Sequence, residues 1–201
     1  ILAGFNADAC DELQRQTGIP VVSIRYRTQG FIDEGFYRSL RLFADVVGAQ
    51  ERCEEVLSYI DSCKADLDAR TCDVPDDRKL RAYTGAVTFN GRHGFAFTYV
   101  SFPPFDAVNA VNVADVLRDE QTGQASAYAL RTGTAYIGDD GFEADLEQII
   151  SWDPDVIFLD PGNMDLVNAE YAANPAYFDS LRAVREGRVY TMPSSNSAGP
   201  N

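Results

Sequence analysis

The feature that most restricts the fold is a regular alternation of strand and helix patterns at the start of the chain. Residues 1–5 form a short apolar run typical of a strand, residues 8–16 have a helical pattern that ends near Gly18, and residues 21–26 are rich in β-branched side chains. A helix that connects two strands of one sheet in this way normally leaves them parallel. The sequence therefore predicts a β-α-β unit.

A second strong strand pattern lies late in the chain. Residues 155–160 are apolar throughout their middle, as expected of a strand that is covered on both faces. Residues 81–89 and 189–192 are further strand candidates, and residues 125–129 and 134–137 are short strand or turn candidates. Together with the first unit, these strands predict an α/β fold with parallel sheets flanked by helices.

Four helices are predicted beyond residue 30. The longest spans residues 50–69, and its apolar residues keep a three–four spacing. This pattern fits either a peripheral amphipathic helix of one domain or a rigid connector between two lobes. Residues 177–185 are predicted to form a short helix. The predicted buried faces of the other three helices are Cys53, Val56, Leu57, Ile60, Cys63 and Leu67 in the longest helix, Phe36, Leu40, Phe43 and Val47 in the helix before it, and Phe142, Leu146, Ile149 and Ile150 in residues 141–151.

The charge balance excludes some classes of partner. Acidic residues outnumber basic ones by 31 to 17, for a formal charge of −14. Such a surface repels nucleic-acid phosphates and anionic lipid headgroups. The four cysteines form no Cys-x-x-Cys pair, which argues against a structural zinc site, and they fit either disulfides or small buried apolar residues.

Both ends of the chain are abrupt. It opens directly on a strand pattern and closes on the polar residues 194–201. We expect truncation at both ends and strand edges without all their neighbours. The consequence would be either self-association or loose packing of the first 48 residues against the long helix. We also expect residues 78–201 to be better ordered than the first 48 residues, and no measurable cargo binding by these 201 residues alone.

Three polar segments follow strand patterns and are candidates for a binding site, because α/β sheets bind ligands beyond the carboxyl ends of their strands. They cover residues 25–27, 90–94 and 161–165. The second is the most suggestive, since it places Arg92 and His93 between two glycines. Aromatic residues follow it at Tyr99, Phe102 and Phe105.

Each candidate residue has a chemical role and an ordinary alternative. Arg92 can clamp a carboxylate or phosphate, and His93 or Tyr99 can bind a metal complex, whereas a surface loop would use them for capping. Phe102 and Phe105 fit a ligand wall or a core. The remaining candidates are Arg25 and Arg27, which fit a cleft or surface ion pairs, and Asn163, which fits a ligand contact or a turn cap.

The motifs of common enzymes are absent from the sequence. There is no Gly-x-Ser-x-Gly, no Gly-x-x-x-x-Gly-Lys and no Gly-x-Gly-x-x-Gly, and the single histidine has no recognisable nucleophile. These absences leave catalysis unsupported without excluding it, and our expectation is a protein that is not an enzyme, without a catalytic residue, a metal site or an intrinsic cofactor.

Several segments resemble one family in register along most of the chain. It is the family of substrate-binding proteins that serve ABC importers of iron compounds, in the class with a single helix between two lobes. Of the matching segments, residues 149–158 and 180–190 are fairly specific to the family, although Asp153 stands where Asn is common. The segments are residues 13–22, 84–94 (with Gly-Arg-His-Gly), 103–105 and 108–114 (Pro-Pro-Phe and Asn-Ala-Val-Asn-Val-Ala), 149–158 (with Trp-Asp-Pro-Asp-Val-Ile) and 180–190 (with Leu-Arg-Ala-Val).

The resemblance implies an organisation and a function. Residues 1–48 would be the remainder of an incomplete first lobe, residues 49–77 the connecting helix and linker, and residues 78–201 the second α/β lobe. The protein would be extracytoplasmic, lipid-anchored at full length, and would deliver an iron(III) chelate of siderophore type to a membrane permease. Haem, a corrinoid or an oxyanion such as molybdate are alternative ligands. A bare divalent metal is not expected, because relatives that bind one use several histidines and carboxylates, and this chain has one histidine.

Two alternatives come from other classes. One is a small α/β enzyme such as a reductase or hydrolase, and the other is an interaction module that uses the acidic surface. An export signal with a lipid-attachment cysteine upstream would favour the binding protein, whereas a nucleotide-binding motif would favour the enzyme.

Overall fold

A computed structural model describes residues 2–3, 7–24, 32, 34–88, 91–100, 102–117 and 141–193. The chain forms two compact units, Ile1–Arg70 and Thr71–Asn201. The predicted strands at 125–129 and 134–137, together with Arg25 and Arg27, lie outside the described residues. Among the described residues, no helix is both long and apolar enough to cross a membrane.

The first unit begins with the predicted β-α-β arrangement. Strands β1 (Leu2–Ala3) and β2 (Ser23–Ile24) pair in parallel, and helix α1 (Ala7–Thr17) connects them. Gly18 follows α1 with φ +67°, a left-handed conformation that glycine adopts without steric cost, and it ends the helix. The predicted parallel pairing is therefore confirmed for the described part of these strands.

Two longer helices complete the first unit. Helix α2 covers Glu34–Val47, and α3 covers Gln50–Thr71 without a break, as predicted for residues 50–69. Their contact is small, with Ala44, Cys53 and Leu57 buried and with Phe36, Tyr37 and Leu40 packed against them. The Tyr37 hydroxyl donates a hydrogen bond to the Asp61 carboxylate between the two helices.

The buried faces of α2 and α3 differ from the prediction. Phe43 and Val47 are 39% and 52% exposed, and Cys63 is also exposed. The apolar stripe of α2 is wider than the contact with α3, so α3 covers only the side that contains Ala44. The predicted division into 1–48, 49–77 and 78–201, with α3 as a connector, stays a prediction.

The second unit contains six strands and five α-helices among the described residues. Two short helices, α7 (Pro175–Ser180) and α8 (Arg182–Arg185), replace the single helix predicted over 177–185. The break occurs because Leu181 between them is extended, with ψ 125°. The strands are β3 (Arg81–Gly85), β4 (Phe97–Tyr99), β5 (Val111–Asn112), β6 (Gly141–Glu143), β7 (Val156–Leu159) and β8 (Val189–Thr191), and the helices are α4 (Pro103–Ala107), α5 (Leu146–Trp152), α6 (Met164–Ala173), α7 (Pro175–Ser180) and α8 (Arg182–Arg185).

Four of these strands form a parallel sheet in the order β5-β3-β7-β8. One face packs on the helices and contains the main core, in which Tyr83, Ile157 and Leu159 contact residues of α5 to α8. The other face carries Ala82 and Val156, which pack against Phe105 of α4. The predicted α/β class with a parallel sheet flanked by helices is confirmed.

Residues 141–151 were expected to form one helix, and this is wrong for the first part. Gly141–Glu143 is a strand that pairs antiparallel with β4, and α5 begins only after Asp145, whose carboxylate accepts a hydrogen bond from the Glu147 amide. Ile149 of the predicted face is buried, whereas Leu146 and Ile150 are exposed. The partner strand lies more than 40 residues earlier, so local periodicity could not reveal it.

An ionic network holds the amino end of β7. The Arg182 guanidinium donates to the Asp153 carboxylate at 3.0 Å and to the Asp155 carboxylate at 2.8 Å, and Asp155 also accepts the Arg81 amide at 2.8 Å. Burial raises the pKa of Asp155, but these N–H donors and the two guanidinium charges outweigh it and lower the pKa. Asp153 is left-handed with φ 41°, a conformation that Asp and Asn adopt more readily than other non-glycine residues.

The aromatic core of this unit contains the single tryptophan. The Trp152 ring lies 6.3 Å from the Tyr83 ring, and the Tyr83 hydroxyl donates to the Phe95 carbonyl at 2.9 Å. Burial raises the pKa of Tyr83 well above its usual range, so the hydroxyl remains a donor. All four cysteines are free thiols, of which Cys10 and Cys53 are buried.

Candidate functional site

The candidate site lies at the carboxyl edge of the four-stranded sheet. Strands β3 and β7 are neighbours with Gly85 opposite Leu159, so the segments that follow them, 86–96 and 160–165, begin side by side. Within this sheet, the strand that follows β3 in sequence is β5, which pairs on the other side of β3, whereas β8 follows β7 on the opposite side, so the strand order reverses between β3 and β7. Open α/β sheets bind ligands at such points.

The Asn163 side chain connects the two segments by hydrogen bonds. Its side chain is 0% exposed, and its Nδ2 donates to the Ala86 carbonyl at 2.6 Å and to the Thr88 hydroxyl at 3.0 Å. Ala86 has φ 56°, an unfavourable conformation for alanine that this hydrogen bond helps to maintain. In this arrangement Asn163 is fully buried and acts as a brace between the two segments. The predicted contact between Asn163 and a ligand stays a prediction.

Asp160 ties the same two segments at their backbones. Its carboxylate accepts the Thr88 amide at 3.2 Å and the Gly162 amide at 2.9 Å. One carboxylate therefore satisfies a donor from each segment, and the turn after β7 and the segment after β3 keep a fixed separation.

Arg92 reaches across to the turn after β7. Its guanidinium donates to the Asn163 Oδ1 at 3.2 Å, to the Gly162 carbonyl at 3.1 Å and to the Asp165 carboxylate. The hydrogen bond from Arg92 lowers the pKa of Asp165 below its usual range. The structure thus brings together the predicted residues Arg92 and Asn163, and it pairs Arg92 with a carboxylate of the same chain.

Glu170 of α6 supports the Arg92 segment from the other side. Its carboxylate accepts the Phe95 amide at 2.8 Å, and it lies so close to Gly94 that a Cβ there would sit 1.8 Å from one oxygen. A larger residue at position 94 would therefore displace the Glu170 carboxylate from this position.

His93 lies on the same segment, next to Arg92 in sequence. Its ring stacks on Phe97 with a centroid distance of 3.8 Å and an interplanar angle of 10°. A small polar cavity of about 70 Å³ adjoins this stack and is lined by His93, Gly94, Ala96, Phe97, Glu143 and Glu170. In the described part of the chain, no group of three His, Cys, Asp or Glu side chains is placed to hold a metal ion.

The predicted aromatic residues form a row that starts beside the site. Tyr99 stacks on Phe102 at 6.1 Å, and Phe102 packs edge-to-face on Phe105 at 4.9 Å. The Tyr99 hydroxyl donates to the Thr88 carbonyl at 3.2 Å, which connects the row to the segment that Asp160 and Asn163 hold. Phe105 is buried, whereas Tyr99 and Phe102 are half-buried, so the accessible surface of the row belongs to Tyr99 and Phe102.

Sequence reasoning did not single out Asp160, Asp165 and Glu170. Asp160 ends the most apolar strand, and Asp165 lies in the candidate binding segment 161–165, so the positions of both residues in the sequence could have identified them. Glu170 lies in a helix without a recognisable motif, and its contacts with Phe95 and Gly94 identify it in the structure.

The sequence profile described as "Periplasmic binding protein" matches residues 1–196, which is nearly the whole chain. The chain belongs to the periplasmic binding protein family. The family consists of binding proteins and not enzymes, in agreement with the sequence analysis, and the alternative of a small α/β enzyme is set aside. No curated protein matches the sequence.

Solved structures of periplasmic binding proteins share the fold. They include a periplasmic solute binding protein from Veillonella parvula (17% identity, TM-score 0.64), the molybdate periplasmic binding protein MolA of Haemophilus influenzae in complex with molybdate (19%, 0.62), and an Fe³⁺-hydroxamate transport protein from Saccharomonospora viridis (19%, 0.56). They match 96%, 98% and 98% of this chain, which spans 50%, 57% and 61% of theirs. The chain thus covers about half of the length of these relatives.

Proposed function

We propose that the protein captures a small-molecule ligand outside the cytoplasm and delivers it to the permease of an ABC importer. Membership of the periplasmic binding protein family supports this role and the extracytoplasmic location. A lipid anchor in the full-length protein belongs to the same proposal. The ligand that we favour is an iron(III) chelate of siderophore type, with haem, a corrinoid or an oxyanion such as molybdate as alternatives.

The observation that carries the proposal is the braced edge of the second unit. Two segments from neighbouring strands are locked by Asp160, Asn163 and Arg92, and the half-buried rings of Tyr99 and Phe102 adjoin them. A rigid frame lowers the ordering cost of binding. Half-buried aromatic rings beside hydrogen-bonding groups suit a chelate with an apolar body and polar ligating atoms.

A thermal-shift screen of the full-length protein tests the proposal. The probes are a ferric trihydroxamate, haem, cyanocobalamin and sodium molybdate. A specific ligand at about 100 times its Kd should stabilise the protein by about 2.7 kcal/mol. The absence of any shift across the ferric chelates, haem and the corrinoid would contradict the proposed ligands.

Variants locate the site on the edge described above. Tyr99→Ala and His93→Ala should each weaken binding of the stabilising probe about tenfold, measured by calorimetry, if one good contact is lost. Tyr59→Ala is the matched control, because Tyr59 is an exposed tyrosine on α3. Equal affinities in all three variants would place the ligand elsewhere.

A further inference from the structure

The carboxyl edge of the four-stranded sheet is poor in positive charge. Arg92 is the only arginine or lysine among the described residues that follow its strands, whereas Asp115, Asp160 and Asp165 share these segments. Oxyanions are bound by cations and by clusters of backbone N–H groups. The formal charge of the edge is therefore unfavourable for an anion. The segments are residues 86–88, 91–96, 113–117, 160–165 and 192–193.

Three backbone donors of this edge already have carboxylate acceptors from this chain. Asp160 accepts the amides of Thr88 and Gly162 at 3.2 and 2.9 Å, and Glu170 accepts the amide of Phe95 at 2.8 Å. An incoming oxyanion could use these N–H groups only by displacing a carboxylate, and it would then lie beside that negative charge.

The charge of Arg92 is cancelled in the same way. Its guanidinium is fixed by the Asn163 side chain and the Gly162 carbonyl, and it is paired with Asp165. The two side chains of the pair are 53% and 65% exposed, and exposed ion pairs contribute little to stability. The effect of the pair is therefore mainly on what the guanidinium can bind.

We propose that Asp165 is a specificity-determining residue, which occupies the position that an anionic group of the ligand would take at Arg92, so that this edge accepts neutral or cationic ligands and rejects free oxyanions. The inference rests on the proposed function and narrows it to chelates without net negative charge. The mechanism is competitive, because an anion would lose its only cation to Asp165 and would face a like charge.

Calorimetry on the full-length protein tests the inference with two probes, sodium molybdate and the cationic ferric trihydroxamate ferrioxamine B. Asp165→Asn keeps the size of the side chain and removes its charge. It should tighten molybdate binding by roughly tenfold or more, the contribution of one charge-assisted contact. Adding Arg92→Gln should abolish this gain, because the gain comes from the released guanidinium.

Asp179→Asn is the matched control, since Asp179 is an exposed carboxylate on α7 and its loss changes the net charge equally. It should leave molybdate binding unchanged. The inference is overturned if the wild-type protein already binds molybdate as tightly as Asp165→Asn, if Asp165→Asn gains nothing, or if Asp179→Asn gains as much. Failure of ferrioxamine B to bind any variant would count against the proposed ligand, whereas the molybdate comparison tests Asp165 independently.

Discussion

The substitution Asn163→Ala separates a structural brace from a ligand contact. It removes two hydrogen bonds from Nδ2, to the Ala86 carbonyl and the Thr88 hydroxyl, and one to Oδ1 from Arg92. Each of the first two contributes about 1 kcal/mol net, and the buried Ala86 carbonyl that loses its partner costs about 1 kcal/mol more. We therefore expect the free energy of unfolding to fall by about 3 kcal/mol.

Urea unfolding followed by far-ultraviolet circular dichroism measures this loss. The midpoint should decrease while the slope with urea stays constant, because the surface exposed on unfolding is unchanged. Asn168→Ala is the control: this asparagine is exposed on α6, and its loss should change stability by less than about 0.5 kcal/mol. An Asn163→Ala protein that unfolds at the wild-type midpoint but no longer binds ligand would refute the brace and make Asn163 a ligand contact.

Three further predictions concern the core, the amino end of β7 and the thiols. Asp155→Asn should lower stability by about 2 kcal/mol at pH 7. Because the pKa of Asp155 is lowered in the folded state, its contribution is present above about pH 4 and is lost as the pH falls through the folded pKa, so the difference between wild type and variant in unfolding experiments should shrink as the pH falls below about 4. Gly85→Ala should cost roughly 1–3 kcal/mol in the same assay, because its Cβ would lie 2.6 Å from the Phe95 carbonyl oxygen, and unchanged stability would contradict this packing. In the reduced native protein, Ellman's reagent should modify two thiols rapidly and two only on unfolding, and four equal rates would contradict the burial; the fast pair is Cys63 and Cys72, and the slow pair is Cys10 and Cys53.

The sequence predicted the elements that depend on local pattern. The apolar run of residues 155–160 became β7, which lies between β3 and β8, and the three–four spacing of residues 50–69 became the unbroken helix α3. Strand β6 was missed because its pairing with β4 is non-local. The buried face of α2 was partly wrong because periodicity shows an apolar stripe but not how much of it a neighbour covers.

The candidate site was predictable in its location and not in its contacts. The rule that ligands bind beyond the carboxyl ends of strands selected the segments of Arg92 and Asn163, and the structure brings both together. The partner of Arg92, however, is Asp165, which lies 73 residues further along the chain. Such pairing depends on the strand order, and residue type alone cannot distinguish a guanidinium open to a ligand from one held by its own chain.

The position of Trp152 determines what the intrinsic fluorescence of this protein reports. The chain has one tryptophan, and its ring packs on Tyr83 while its carbonyl accepts the Arg81 guanidinium at 2.9 Å, close to the amino end of the sheet. Its emission therefore follows the integrity of the core of the second unit. Quenching by a coloured chelate would reflect energy transfer over a distance, and a colourless ligand at the opposite edge should leave the emission spectrum unshifted.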